Sequence, residues 1–471
     1  MFKYNFKYEF KQLLRSQWIL LLGLLLLLLF GFAINNGSRK VKKRNAELTQ
    51  IKTNTQEEYA SLYNKLDSIE KGFTPSRSWI GDSPILVGYW YPRVAAMPTN
   101  SLTFIATGQS DMYSNYDKPK AYDSGLVKDH TEMTSPIQLL FGSFDLAFVI
   151  VYLLPLLIIT FSYNVLSSER ESGTLRLLGS QSISIKAWLF QKLLIRFSLL
   201  SVLILFSLTI LLLLFNREAF TNFGMLLSLY GLVLVYTLFW FALAFLVNLW
   251  IGRSAKNAVS LLGFWIFFVL LVPSVLNQLG TNLYPMPSRT LLINEVRTMQ
   301  ADVNKRQNEI LDNYLRDHPE FAVNDTTQQR NFWHRYMASQ KLMREELHPI
   351  INNFEQQMQK QQQWIGQFKW LSPAVITQES LNNIAGTSTQ DYANFRKQVA
   401  AFEEEWRNHF MPMLFNNEKF KKEDVANLPD FKFKPQKTSS YAILLVLLIA
   451  TSIFGIGMWI AQKKKSNLII N

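Results

Sequence analysis

Apolar and polar positions along this chain are sorted into long blocks rather than single steps. Trp18–Ile34, Leu146–Leu166, Ile195–Phe215, Phe223–Trp250, Ala258–Leu276 and Tyr441–Ala461 are almost wholly apolar. Lipid offers backbone N–H and C=O groups no partner, so a crossing segment is a helix of about 20 apolar residues. The six blocks therefore predict six spans. The first is longer than a signal-peptide core and no small-residue cleavage site follows it, so it reads as a span.

An even number of spans puts both termini on one side. Arg170, Arg176, Lys186, Arg253, Lys256 and Lys463–Lys465 then share that side, and the positive-inside rule makes it cytoplasmic. One cluster, Arg39, Lys40, Lys42, Lys43 and Arg44, falls on the opposite side. It sits in a long translocated loop, where the rule weakens.

The polar blocks have their own periods. Phe2, Phe6, Phe10 and Leu14 recur every four residues, with Lys3, Lys7, Lys11 and Arg15 one position behind. As a helix this is an apolar stripe beside a basic one, suited to lying among the lipid head groups of the inner leaflet. Beyond the fifth span, three stripes have helical spacing. They are Leu292, Val296, Met299, Val303, Ile310 and Tyr314; Trp333, Met337, Met343, Leu347, Ile351, Phe354 and Met358; and Tyr392, Phe395, Val399, Phe402, Trp406 and Phe410. Ser288 is placed to cap the first helix, and His348-Pro349 predicts a kink in the second. This region is expected to fold without the membrane. Between the first two spans, Lys40–Lys71 reads as a charged helix. "SPILVGYWYPRVAAMPTNSLTFIATGQSD" reads as short strands and loops, being rich in β-branched and aromatic residues broken by Pro and Gly.

The predicted fold is thus an all-α membrane protein: six transmembrane helices, an N-terminal interfacial helix and a mainly helical extracytoplasmic domain with minor β. Residues 1–16 form the interfacial helix, 17–34 the first span, 35–145 a first extracytoplasmic region and 146–166 the second span. Residues 167–194 form a polar cytoplasmic region and 195–276 spans three to five. A second extracytoplasmic region occupies 277–440, the sixth span 441–461 and a cytoplasmic tail 462–471.

Composition narrows the function. No cysteine is present, which removes disulfide and thiolate chemistry. The net charge of +13 lies mainly beside the spans, where it meets anionic lipid, and no basic, aromatic-studded soluble face predicts nucleic-acid binding. No G-x-x-x-x-G-K-[ST], H-E-x-x-H or G-x-S-x-G motif occurs, and His130, His318, His334, His348 and His409 are too scattered for a metal site. Acid pairs such as Glu345-Glu346 lie on solvated helix faces, so no catalytic residue is assigned. Lys192 and Arg196 stand at the entry of the third span, where they can snorkel, and no charge lies at mid-membrane. A self-powered carrier is therefore disfavoured.

The polar region between the second and third spans carries the sharpest pattern, "ERESGTLRLLGSQSISIKAWLFQKLL". It resembles the cytoplasmic motif of ABC type-2 permeases, roughly E-x-E-x-G-T-L-x-x-L-L followed by a lysine. Glu169, Glu171, Gly173, Thr174, Leu175 and Lys192 occupy the matching positions. "PTNSLTFIATGQSD", "YPMPSR", "DHPEF" and "LSPAVITQESLNNIAG" look like a subfamily of these permeases with large periplasmic insertions of unknown function.

The resemblance implies a non-catalytic membrane subunit, an exporter in a cell inner membrane. It would pair with a second permease subunit, identical or paralogous, and with two copies of a separate ATPase that holds ATP and Mg²⁺. The named residues would dock on that ATPase, with Gly173 ending one helix and Thr174 capping the next. A rival reading keeps the ATPase but moves no substrate: motion inside remodels the outer domain and any periplasmic partner. A third is a membrane-anchored scaffold with no ATPase.

Overall fold

The computed structural model describes residues 2–15, 17–73, 83–122, 143–175, 184–285, 289–319, 332–436 and 441–463. Six helices are long and apolar enough to cross a membrane: Trp18–Glu70, Leu146–Glu171, Ile185–Phe215, Phe223–Trp250, Ser254–Leu283 and Tyr441–Ile460. They match the six apolar blocks and mark a multi-pass membrane protein. Among the described residues, strand is confined to one antiparallel pair, Ala95–Ala96 with Tyr116–Asp117.

The fourth span is the most deeply buried of the six and the sixth the least. Tyr236, Phe239, Trp240, Phe241 and Phe245 of the fourth are all essentially inaccessible and fill the middle of the bundle. Leu20, Leu24, Leu28 and Phe32 of the first, and Leu444, Leu448 and Trp459 of the sixth, point outward. Outward apolar faces suit lipid, which solvates them as well as a protein core would.

The first span does not stop at the end of its apolar block. It runs for 53 residues to Glu70, about 80 Å at 1.5 Å per residue. Lys40–Lys71 is rich in Lys, Glu, Gln and Leu and contains neither Gly nor Pro, so nothing ends the helix. Gly37 is required by a close approach: a Cβ there would lie 2.0 Å from the Phe104 carbonyl oxygen.

The far half of this helix enters a second core. Leu62 and Leu66 pack with Ile85, Val87 and Met97 and with the three helical stripes. The stripes lie on helices Arg289–Lys305, Gln307–Asp317, Phe332–Phe368 and Thr389–Phe415. Tyr392, Phe395, Val399, Phe402, Trp406 and Phe410 are all buried, as their period predicts. Pro349 sits inside its helix without ending it. The Ser288 cap lies outside the described residues.

One expectation is revised. Residues 84–90 form a helix, Pro84–Trp90, rather than a strand. Proline at the first helical position favours the turn, and tertiary packing overrides β propensity. Trp406 Nε1 donates to the Gly88 carbonyl at 2.9 Å, and a Cβ on Gly88 would lie 2.7 Å from the Phe410 ring. The region after the fifth span shares its core with the first polar region. Leu62, Leu66, Ile85 and Val87 complete it, so one extramembrane domain is built from both polar regions.

This domain also engages two basic residues of the Arg39–Arg44 cluster. Lys40 Nζ binds Asp111 at 2.5 Å and Ser143 Oγ at 2.7 Å. Arg44 is buried, with Nη2 donating to the Met97 carbonyl at 2.8 Å. Their charges are engaged by the fold.

Candidate functional site

The second span ends in a short helix, Ser167–Glu171. Gly173 follows at φ +76° with open space around its Cα, and its N–H reaches back to the Arg170 carbonyl at 3.1 Å. This left-handed residue closes the helix as the sequence predicts. The Thr174 hydroxyl turns back to Glu169, donating to its carbonyl at 3.1 Å and to its carboxylate. The helix Thr174 was expected to cap falls largely outside the described residues. Leu175 is buried in the bundle core and anchors the turn.

Glu169 and Lys192, 23 positions apart, meet at 3.0 Å. Lys192 Nζ also lies 4.4 Å from the Trp188 ring centroid and 3.3 Å from the carboxylate of Glu9. Glu9 in turn accepts from Arg196 Nε at 2.8 Å, while Arg196 Nη1 donates to the Phe161 carbonyl at 2.7 Å. The result is a chain of alternating charges, Glu169, Lys192, Glu9 and Arg196. It ties the end of the second span to the start of the third and to the N-terminal helix Phe2–Arg15. Glu9 is only 2% exposed, and a carboxylate removed from water to that degree depends on its partners.

Glu9 is the residue that sequence reading missed. The N-terminal helix carries Phe6 and Phe10 outward, stacked at 5.7 Å. Its inward face carries Glu9 and Leu13 instead. The available signal was a single acid in an otherwise basic segment.

Glu171 makes the other connection. Its carboxylate accepts from Ser254 N at 2.7 Å and Ser254 Oγ at 2.8 Å, at the first residue of the fifth span. An acid there satisfies a free amide and faces the positive end of the helix. Ser167 Oγ contacts Ser254 Oγ at 2.9 Å, and Asn257 Nδ2 donates to the Tyr163 carbonyl at 2.9 Å. Buried Asn248, on the fourth span, accepts from Leu166 N at 3.1 Å and donates to the Ser162 carbonyl at 3.0 Å. Gly252 leaves room for Arg170, whose Nη1 would stand 2.3 Å from an added Cβ. The six sequence-predicted residues thus form two groups. Glu169, Thr174 and Lys192 belong to one bonded network; Glu171 belongs to a second; Gly173 and Leu175 shape and anchor the turn between them.

Two spans carry π-helical turns beside a proline, and neighbouring helices supply the lost donors. Pro155 follows Val149–Leu153 and has no N–H for Val151, whose carbonyl takes the buried Tyr236 hydroxyl at 3.0 Å. Trp265 Nε1 donates to the next carbonyl, Tyr152, at 3.1 Å. Pro273 follows Ile266–Leu271, and there the Phe268 carbonyl accepts from Ser372 Oγ at 2.6 Å. Ser372 belongs to the extramembrane domain and also caps helix Pro373–Ala385, accepting from Val375 N at 3.2 Å. That helix packs Ala374, Ile376, Leu381 and Ala385 into the bundle core, so it is the junction between domain and spans.

Among the described residues no group of three or more His, Cys, Asp or Glu is placed to hold a metal. His334 instead shares a hydrogen bond with the Leu414 carbonyl at 3.1 Å, and His318 lies 2.9 Å from Lys341 Nζ. His130 lies outside the described residues.

Residues 289–434 match the model of a domain of unknown function, DUF3526. The match covers the helical stripes of the extramembrane domain and stops short of all the spans. No curated protein and no solved structure matches the chain.

Proposed function

We propose that the chain is the membrane subunit of an ABC-type complex, an exporter driven by a separate ATPase that docks on residues 167–192. The ATPase holds the ATP and Mg²⁺, in two copies, against two membrane subunits that are identical or paralogous. The termini and the polar island between the second and third spans, residues 167–194, then face the cytoplasm of an inner membrane, and the extramembrane domain faces the periplasm. One observation carries this reading. The described parts of the island are bonded to three other elements, through Lys192 to the third span, through Glu9 to the N-terminal helix and through Ser254 to the fifth span. A displacement of the island is therefore passed to the spans rather than lost in a slack loop.

The test is copurification with a candidate ABC ATPase subunit coexpressed with this chain. Glu171→Lys is expected to reach the membrane at normal level and to lose the ATPase or its productive turnover. Because Glu171 also caps the fifth span, Ser254→Ala is the necessary comparison: if it reproduces the defect, the internal tie matters rather than a direct contact with the motor. Full retention and activity in both variants would remove the coupling role of this turn.

The second reading, in which motion remodels the domain and nothing crosses the spans, is supported by the 53-residue first helix. It belongs to both the bundle core and the domain core without a break. Uptake of candidate substrates into inverted vesicles separates the two: ATP-dependent uptake supports export, and ATP turnover with domain movement but no uptake supports remodelling.

A further inference from the structure

A cavity of about 570 Å³ opens where the extramembrane domain meets the spans. Its walls are the first turns of the fourth span (Met225, Leu232) and the sixth (Tyr441, Ile443), the junction helix Pro373–Ala385 (Glu379, Asn383, Ile384) and Lys369 and Asp391 beside it. The spans supply most of the apolar lining, Met225, Leu232, Ala442 and Ile443, and the domain side supplies the charged lining.

The charges on the polar wall are ordered. Lys369 Nζ lies 3.0 and 3.1 Å from the two Glu379 oxygens and 2.9 Å from the Tyr441 hydroxyl. Asp391, at the first turn of helix Thr389–Phe415, accepts from Ser388 N at 3.1 Å and from Ser388 Oγ at 2.5 Å. Burial opposes the charge on Lys369, but Tyr441 and Glu379 outweigh it and hold its pKa above the ordinary range. One cation and two carboxylates therefore line the cavity. The depth is marked as well. Tyr441, 52% exposed, lines the cavity, and Trp370, next to the lining residue Lys369 in the chain, is 54% exposed; such half-wet aromatic rings settle at head-group level.

We propose that this cavity binds a zwitterionic aminophospholipid, with its phosphate toward Lys369, its ammonium toward Glu379 and Asp391, and its acyl chains along the fourth and sixth spans. A purely anionic lipid would bring a phosphate to Lys369 but no cation for Glu379 and Asp391, whereas a zwitterion that opens the Lys369–Glu379 pair supplies a partner to each side. A quaternary head group could not donate hydrogen bonds to either carboxylate. The apolar wall excludes a free head group as the preferred ligand, because burial of chain methylenes supplies most of the attraction. This site is independent of the exporter reading and needs no ATPase.

The test uses the full chain, purified in detergent and exchanged into nanodiscs of defined composition. Native mass spectrometry would count retained phosphatidylethanolamine, phosphatidylglycerol and phosphatidylcholine, with glycerophosphoethanolamine as the chain-free control. Phosphatidylethanolamine is expected to be retained in preference to the others, and the chain-free head group not at all. Glu379→Gln should weaken that retention about tenfold, the effect of one lost hydrogen bond to a charged group. Ala442→Trp, which fills the apolar wall, should reduce retention of all three lipids while an unchanged melting temperature reports intact folding. Equal retention of the three lipids, or retention unaffected by both variants, overturns the proposal; so does binding of the chain-free head group as strong as that of the lipid.

Discussion

Removing the Glu9 carboxylate should release the N-terminal helix from the bundle while leaving the spans folded. Glu9 accepts from Arg196 at 2.8 Å and lies 3.3 Å from Lys192, and those cations are only 15% and 14% exposed at the side chain. Breaking a buried ion pair from one side costs about 3–5 kcal/mol. Here each cation keeps another partner, Lys192 the Glu169 carboxylate and Arg196 the Phe161 carbonyl. The loss in Glu9→Ala is therefore placed lower, at about 2–3 kcal/mol, near that of one or two charge-assisted hydrogen bonds. In hydrogen–deuterium exchange of the full chain in nanodiscs, this is a fall of about 30- to 150-fold in protection of residues 6–15. Spans four and six, which Glu9 does not touch, should exchange as before. Glu9→Gln keeps the shape and should lose less. Combining Glu9→Ala with Arg196→Met should cost less than the sum of the two, since they remove the same contact. Protection within threefold of the native protein, or simple additivity in the cycle, would show that the helix is held by Leu13 and lipid rather than by this carboxylate.

Gly173→Val should cost about 1–2 kcal/mol by thermal melting, because φ +76° penalises a β-branched residue though no atom stands in the way; Gly173→Asn should be milder. Tyr236→Phe leaves the Val151 carbonyl of the second span without its donor and should destabilise the bundle by about 1–3 kcal/mol, with Pro155→Ala recovering part by restoring an N–H. No recovery would mean the hydroxyl acts through packing. A fragment of residues 289–434 should be helical by far-ultraviolet circular dichroism but should melt without cooperativity, since Leu62, Leu66, Ile85 and Val87 are missing from its core. Joining residues 40–122 to it should sharpen the transition, and a sharp transition in the short fragment alone would restore it as an independent unit. A cysteine at Gln362 should label from the periplasm and one at Ser466 only after permeabilisation; the reverse pattern would invert the proposed orientation.

What the sequence disclosed was whatever has a local period. The six spans are visible because apolar length alone decides whether a helix can cross lipid. The stripe from Tyr392 to Phe410 is visible because helical spacing puts those rings on one face. Pro84–Trp90 was misread because its Ile, Leu, Val, Tyr and Trp favour strands locally, while the contacts with Trp406 and Phe410 that decide the matter lie more than 300 residues away. The Glu9 contacts fail the same test: Lys192 and Arg196 are more than 180 positions distant, and a charge pair leaves no mark on periodicity. Pro155 and Pro273 could be read as missing donors, but nothing near them in the chain names Tyr236 or Ser372 as the replacements.

Those replacements bear on how a push at the island could travel. The fifth span is tied twice. At its first residue Ser254 holds the Glu171 carboxylate, and at Phe268 its free carbonyl holds Ser372 of the extramembrane domain. Fourteen residues separate the two ties, about 21 Å of helix. On the proposed reading this is a short bonded route from the island to the domain, and a stiff helix moves both ends together. The π-helical turn at Ile266–Leu271 is what makes the second tie available, since Pro273 leaves the Phe268 carbonyl without a π-type partner of its own. Ser372→Ala should therefore uncouple domain movement from ATP turnover while leaving the ATPase bound, and Pro273→Ala should not restore the movement even if it restores stability. Spectroscopic labels at Gln362 and at Glu218, beside the fourth span, would report that movement as a distance change. If the change with ATP survives Ser372→Ala at full amplitude, the long first helix, which enters both cores without a break, is the route instead.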